Sequence, residues 1–248
     1  MPRVNLLLLD PAEVADDGTA VLTDRRAEHM RTVLQVTPGR TLQAGLVDGP
    51  VGNAEVLEVR SDAVRIRAVC TEAAPVAHDV LLLAVPRPKV LLRMLEIAAM
   101  LGFAEIVLFR SWRVDKSHLS SQAMEAELQR HHLCLGLEQA RRTAMPRVRT
   151  FLRFRPFVED DLPQLPLPQH RFCAHPFAET STADLALTHG APVAVALGPE
   201  GGLLPYEVDH LARCGFLPVR MSQHPLRTES ALCAVHAQLD VLRTRTRG

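Results

Sequence analysis

The stretch Val193-Ala-Val-Ala-Leu197-Gly198-Pro199-Glu200-Gly201-Gly202-Leu-Leu-Pro205-Tyr206-Glu207 decides how this chain is read. Its first five residues are apolar without a break, as in a strand buried on both faces of a parallel sheet. Glycines follow, then a proline suited to the first turn of a helix. A strand running through glycines into a helix is a ligand-binding geometry, because glycine lets backbone amides and carbonyls approach a ligand closely. A tight turn without a ligand has the same composition, so the segment alone leaves both readings open. No Gly-Lys-Ser/Thr follows, so it is not a P-loop, and it lacks the G-x-G-x-x-G dinucleotide fingerprint.

Working outward, strands alternate with helices from about residue 76. Val80–Val85 is another apolar run. Val90, Met94, Ile97, Ala98 and Leu101 follow at helical spacing, and Gly102 ends that helix. Strands are expected at 105–109, 147–151, 171–174 and 217–221, with helices at 125–140, 206–214 and 229–243. The strand at 171–174 is reached through the Pro-rich stretch 162–168. Such alternation implies an α/β domain with a mostly parallel sheet. Residues 1–72 read differently, as short strands at 4–9, 41–47, 52–60 and 64–69 with one helix at 25–34 and turns at Asp48-Gly49-Pro50 and Ser61-Asp62. Residues 72–77 form a linker, and the tail 243–247 is expected to fray.

The 248 residues are 47% hydrophobic and 23% charged, which excludes wholesale disorder. Formal charge is zero, so global basicity points to no polyanion, and residues 1–72 carry 8 basic and 11 acidic groups. Only Lys89 and Lys116 are lysines, so 26 of the 28 cations are arginine. A guanidinium suits bidentate phosphate contacts, although codon composition also enriches arginine. Aromatics are 4%, which weighs against modules that stack bases across a sheet of aromatic rings. Five cysteines without a C-x-x-C exclude a zinc ribbon or a disulfide framework and point to a reducing compartment. Four leucines before Asp10 fall short of the roughly 7–15 apolar residues of a signal peptide. No apolar run approaches the roughly 18 that span a bilayer. The expectation is a soluble cytoplasmic protein.

Three further segments carry chemistry. Leu226-Arg227-Thr228-Glu229-Ser230-Ala231 lies between a strand and the last helix, which Thr228 would cap with Glu229 in its first turn. Ala174-His175-Pro176 follows the strand at 171–174. Leu137-Glu138-Gln139-Ala140-Arg141-Arg142 would place Glu138 and Arg142 one helical turn apart. Each has a bland structural explanation. After the last of them, Arg141, Arg142, Arg147, Arg149, Arg153 and Arg155 fall within fifteen residues that contain no acid. A solvated face and a phosphate-binding stripe both fit.

In this order the segments resemble the RNA methyltransferases of the knotted SPOUT superfamily. Within it, the resemblance is to the family that methylates N3 of a uridine in small-subunit (16S) ribosomal RNA. Gly198-Pro199-Glu200-Gly201-Gly202 is similar to that family's GPEGG loop. Leu226–Ala231 is similar to its L-R-T-E-T-A, with Ser230 for Thr. Glu138-Gln139-Ala140-Arg141-Arg142 is similar to its E-Q-S-x-R, and Leu101-Gly102-Phe103 to its E-L-G-V. Residues 28–39 resemble H-H-L-x-x-V-L-R with Gly. The chain departs from the pattern at Glu28 and Gln35, and its helix Glu96-Ile97-Ala98-Ala99-Met100-Leu101-Gly102, set against Q-K-A-T-E-L-G, loses the Lys at Ile97 and the Glu at Met100. Those departures leave the target nucleotide open.

The resemblance implies a PUA-like RNA-binding β-barrel at 1–72, a trefoil-knotted methyltransferase domain at 76–248 and a homodimer. It implies S-adenosylmethionine held by loops after Cys173, Leu197 and Met221, with no metal. The expected cofactor contacts are His175, Leu197, Gly198, Glu200, Gly201, Met221 and Leu226. Arg227, Glu200 and Glu229 are the expected catalytic groups, Arg227 stabilising anionic charge on the base and either carboxylate acting as base or holding a cationic part of the cofactor. His224 is a further candidate. Arg31, Arg142, Arg147 and Arg149 are the expected contacts to ribosomal RNA of the small subunit. Two other readings stay beside this one: a ribose 2′-O-methyltransferase, and a non-catalytic RNA-binding or ribosome-assembly factor. The closing helix carries Leu232, Val235, His236, Leu239 and Leu242 on one stripe, flanked by Ala231, Ala234 and Val241. It is the candidate dimer surface.

Overall fold

The structure is a computed structural model that describes residues 5–244. Val4, expected in the first strand, and 245–247 of the expected frayed tail lie outside the described residues. The chain divides into two compact units. One comprises the chain up to Val76 together with Cys134–Met145, the other Ala77–Leu133 together with the chain from Pro146 onward.

The first unit is built on β1 (Leu7–Leu9), β2 (Thr19–Leu22), α1 (Arg25–Thr32), β3 (Thr41–Leu46), β4 (Val51–Val59) and β5 (Val64–Glu72). The strands form one sheet in the order β1-β3-β4-β5-β2. Only the β1–β3 pair is parallel. Alternate residues of β2 and β5 point inward, and Leu22, Val64 and Ile66 meet Leu9, Met30 and Val56 in one core. Asp24 caps α1 by accepting from the Arg26 amide, so the helix starts where a short acidic side chain can satisfy an orphan N–H.

Residues 134–145 join this unit through hydrogen bonds. The Leu6 amide donates to the Glu138 carbonyl at 3.0 Å and the Asp48 amide to the Thr143 carbonyl at 2.8 Å. Arg25 grips both Glu138 carboxylate oxygens, at 3.0 and 2.6 Å. The helix containing Glu138 ends at Ala140, and Arg141 sits in the left-handed region at φ +55°. Arg142 therefore lies beyond the helix and does not share a helical face with Glu138, as the i,i+4 spacing had suggested.

The second unit contains β6 (Asp79–Ala84), α2 (Pro88–Leu101), β7 (Phe103–Phe109), the short α3 (Lys116–Leu119), α4 (Ala126–Ala140, whose last turns belong to the first unit), β8 (Arg147–Phe151) and the short α5 (Phe154–Pro156). It continues with β9 (His170–Ala174), β10 (Val193–Leu197), α6 (Pro205–Arg213), β11 (Leu217–Val219) and α7 (Thr228–Thr244). Its described strands form a six-stranded sheet in the order β11-β9-β10-β6-β7-β8, and every neighbouring pair is parallel. The α/β class with a mostly parallel sheet is therefore as expected. The apolar runs are explained by burial on both faces. Val80, Leu82, Ala84, Ala194 and Ala196 meet Phe109, Phe157, Leu211 and Phe216 in one cluster. Leu81, Leu83, Val195 and Leu197 are equally buried, as are Leu91, Met94 and Leu95 of α2. Gly102 closes α2 at φ +84°, a conformation that side chains resist.

Helix α7 is tied down at its far end. Arg243 Nη1 donates to both Asp79 oxygens, at 2.9 and 2.8 Å, and the Val193 amide donates to Asp79 Oδ1 at 3.0 Å. Leu232, Val235 and Leu239 of α7 are buried within the chain. The expectation that Leu239 lies on a dimer surface is corrected by this burial, since its side chain already belongs to the fold's own interior.

Candidate functional site

In a parallel sheet all strands end on the same side. β11, β9 and β10 are adjacent, so the loops leaving their carboxyl ends are brought side by side. These loops and the start of α7 surround a cleft of about 920 Å³. His175, Leu197, Gly198, Glu200, Gly201, Met221, Leu226, Arg227 and Glu229, singled out from the sequence, all line it, as does His224.

The loops are cross-braced. The Ser181 region bridges to Arg220, with the Arg220 amide donating to the Thr180 carbonyl at 2.8 Å and the Thr182 amide to the Arg220 carbonyl at 3.0 Å. This is why β11 stops at Val219 rather than continuing to Met221. Gln238 of α7 reaches back to donate to the Met221 carbonyl at 2.9 Å. After β10, the Gly202 amide donates to the Pro199 carbonyl at 2.8 Å, folding the glycine turn. A Cβ on Gly198 would lie 3.0 Å from the Leu203 amide nitrogen, so this position admits no side chain without moving backbone.

Each charged group has a defined partner or setting. Glu200 accepts from the Arg87 amide at 3.1 Å and is otherwise exposed. Glu229 pairs with Arg93 at 2.9 Å. The carbonyl of Arg227 accepts from the Ala231 amide at 2.8 Å, so Arg227, not Thr228, is the residue that opens the closing helix. Burial lowers the pKa of His175, which favours the neutral imidazole near neutral pH.

Sequence reasoning missed Arg87, Arg93 and Arg113, which come from the segments after β6 and β7 and also line the cleft. The Arg113 guanidinium donates to the Gly201 carbonyl. Its loop is fixed by Glu207, a fully buried carboxylate that accepts from the Trp112 and Leu204 amides, both at 2.8 Å. With four arginines against Glu200 and Glu229, the lining is cationic although the chain as a whole is neutral.

The arginines expected to meet RNA lie elsewhere. Arg31 is on α1 and donates to the Ser61 carbonyl, and Arg142 belongs to the first unit. Arg147 and Arg149 are on β8, the edge of the six-stranded sheet opposite β11. Arg147 is exposed. Arg149 pairs with Glu105 at 2.7 Å, and Arg155 with Glu159 at 2.8 Å. The stretch has no acid of its own, but acids from neighbouring segments reach Arg149 and Arg155.

A family model described as RNA methyltransferase domain matches residues 72–240. A protein of Treponema pallidum (strain Nichols) named Ribosomal RNA small subunit methyltransferase E is 30% identical over 240 residues, 94% of this chain and 90% of that one. Ribosomal RNA small subunit methyltransferase E 1 of Borreliella burgdorferi is 22% identical, over 86% and 88%. Among solved structures, a Ribosomal RNA small subunit methyltransferase E from Neisseria gonorrhoeae bound to S-adenosyl methionine is similar in fold. Its TM-score is 0.76 at 19% identity, with 96% of this chain and 98% of that one covered.

Proposed function

Since the chain belongs to the RNA methyltransferase domain family, we propose that it transfers a methyl group from S-adenosylmethionine to N3 of a uridine in 16S ribosomal RNA of the small subunit. The observation that carries this reading is the convergence of the loops after β9, β10 and β11 on one cleft at the strands' carboxyl ends. Relatives named as methyltransferases of small-subunit ribosomal RNA supply the substrate class.

The residues present fit the cofactor. The cleft volume is within the range of small-molecule sites, roughly 300–1,000 Å³. Leu197, Met221 and Leu226 offer apolar surface, Gly198 and Gly201 line the cleft without a side chain, and the carboxylates and guanidinium groups suit a molecule with both an ammonium and a carboxylate. When bound, S-adenosylmethionine supplies an electrophilic methyl group on a sulfonium. The protein must hold the uridine N3 in line with it, exclude water and remove the N3 proton. Arg227 is assigned to stabilise the anionic base through fixed positive charge. Glu229 is already committed to Arg93, so Glu200, which accepts from the Arg87 backbone amide and is otherwise exposed, is assigned as proton acceptor. His175 shapes the cofactor loop as a neutral imidazole.

In this reading residues 76–248 are a knotted SPOUT domain acting as a homodimer in the cytoplasm. Residues 1–72 are a PUA-like barrel that holds RNA, and Arg31, Arg142, Arg147 and Arg149 contribute phosphate contacts. The test is mass mapping of methylated nucleotides in 16S ribosomal RNA from cells lacking the gene. One uridine should lose its N3-methyl group and regain it with the wild-type gene but not with Arg227→Ala. An unchanged methylation map would overturn the proposal.

A further inference from the structure

Aromatic side chains are scarce in this protein: eight Phe, one Trp and one Tyr in 248 residues. Phe177 is 79% exposed, in contrast to Phe103, Phe109, Phe157 and Phe216, which are fully buried. A bare phenyl ring costs solvation, and this one lines the cleft.

Its setting is fixed. Phe177 is the third residue of a turn, His175-Pro176-Phe177-Ala178, in which the Ala178 amide donates to the His175 carbonyl at 3.2 Å. Proline at the second position presets such a turn. Arg220 Nε braces the turn by donating to the Ala178 carbonyl at 3.2 Å. The Phe177 ring lies 5.9 Å from the His175 imidazole at 69°. Contact of this kind orients the ring, and at 79% exposure most of its surface stays open. The cleft that it lines is lined also by Arg87, Arg93, Arg113 and Arg227. An aromatic face beside cationic side chains is the combination that binds unpaired nucleotides, the ring taking the base and the guanidinium groups the phosphates.

We propose that Phe177 is the stacking surface for an RNA base entering the cleft, and that it thereby positions the nucleotide to be methylated. The proposal rests on the reading of the cleft as an RNA methyltransferase site. A planar base could also come from the cofactor's adenine. Phe177 is assigned to the RNA, and an adenine stacked on it instead would show as lost cofactor affinity in Phe177→Ala.

The test uses the full-length protein with Phe177→Ala, Phe177→Leu and Phe177→Tyr. Three quantities are read: affinity for a single-stranded oligouridylate, kcat and KM for methylation of small ribosomal subunits from cells lacking the gene, and S-adenosylmethionine affinity by calorimetry. Loss of one stacked base corresponds to roughly a five- to hundredfold change. Phe177→Ala and Phe177→Leu should weaken oligonucleotide binding and raise KM by that factor, Phe177→Tyr should restore both, and cofactor affinity should stay unchanged. Wild-type RNA affinity in Phe177→Ala, full function in Phe177→Leu, or loss of cofactor affinity in Phe177→Ala would each overturn the proposal while leaving the assigned reaction intact. A wild-type protein that binds the cofactor yet neither binds the oligonucleotide nor methylates subunits overturns the reaction and this inference together.

Discussion

Gly198 and Gly201 look equivalent in the sequence, and a bulky residue at Gly201 is the substitution the motif itself suggests. The structure separates them. A Cβ at Gly198 meets backbone of the same loop, whereas one at Gly201 meets Arg113 Cδ at 3.1 Å, a methylene within a flexible side chain. Gly198→Ala should therefore distort the loop at a cost of about 1–3 kcal/mol and reduce S-adenosylmethionine affinity about tenfold or more. Gly201→Ala should be milder, because Arg113 can swing aside. Titration calorimetry on both variants checks the order, and equal losses would contradict it. Glu207 offers a second residue-level contrast. Both its oxygens accept backbone amides in a fully buried position. Glu207→Ala should cost about 1–3 kcal/mol, since two part-buried N–H groups lose their partner. Urea denaturation measures it, and the emission of Trp112, the sole tryptophan, reports whether its loop moves.

At the scale of elements, the anchor between α7 and the amino ends of β6 and β10 is a part-buried ion pair. Asp79→Ala removes the acceptor of the Val193 amide and one partner of Arg243, which keeps Asp240 at 3.1 Å, and should destabilise the protein by about 1–3 kcal/mol. Removing Arg243 as well should recover part of that loss in a double-mutant cycle. Strand β8 makes a different prediction. Arg147 is exposed and Arg149 is paired with Glu105. Arg147→Glu should flatten the log–log salt dependence of RNA binding by up to about 0.9 without lowering the melting temperature. Arg149→Glu should also lower the melting temperature by facing Glu105. If neither changes the slope, β8 does not touch RNA. Most strands of the parallel sheet were legible because burial on both faces writes a continuous apolar run, as in Leu81–Ala84 and Val193–Leu197. β2 was not, because Thr19–Leu22 is four residues long and only Ala20 and Leu22 are buried. The site's own loops were legible from glycines and strand ends. Arg87, Arg93 and Arg113 were not, because sheet order brings them to the cleft and no local pattern marks them. Nor does any local pattern announce that residues 134–145 fold with the first unit.

At the scale of the whole molecule, the proposed homodimer needs a surface that the single chain leaves open. Leu239 is 1% exposed and Val241 52%. Leu239→Glu should unfold the chain, because it buries a charge in the core. Val241→Glu should leave the circular dichroism intact and shift the light-scattering mass to that of a monomer. A dimeric Val241→Glu moves the interface elsewhere, and a wild-type protein that is monomeric at tens of micromolar ends the dimer proposal. Sheet order also has a consequence for synthesis. β10 takes its place between β6 and β9, yet it leaves the ribosome more than a hundred residues after β6. At about 5–20 residues per second, a nascent chain holds the edge of β6, apolar from Val80 to Ala84, unpaired for several seconds or more. Such an edge is a template for pairing with other chains. Yield during translation should therefore fall with temperature faster than the melting point of the finished protein suggests, and should depend on chaperones that cover that edge.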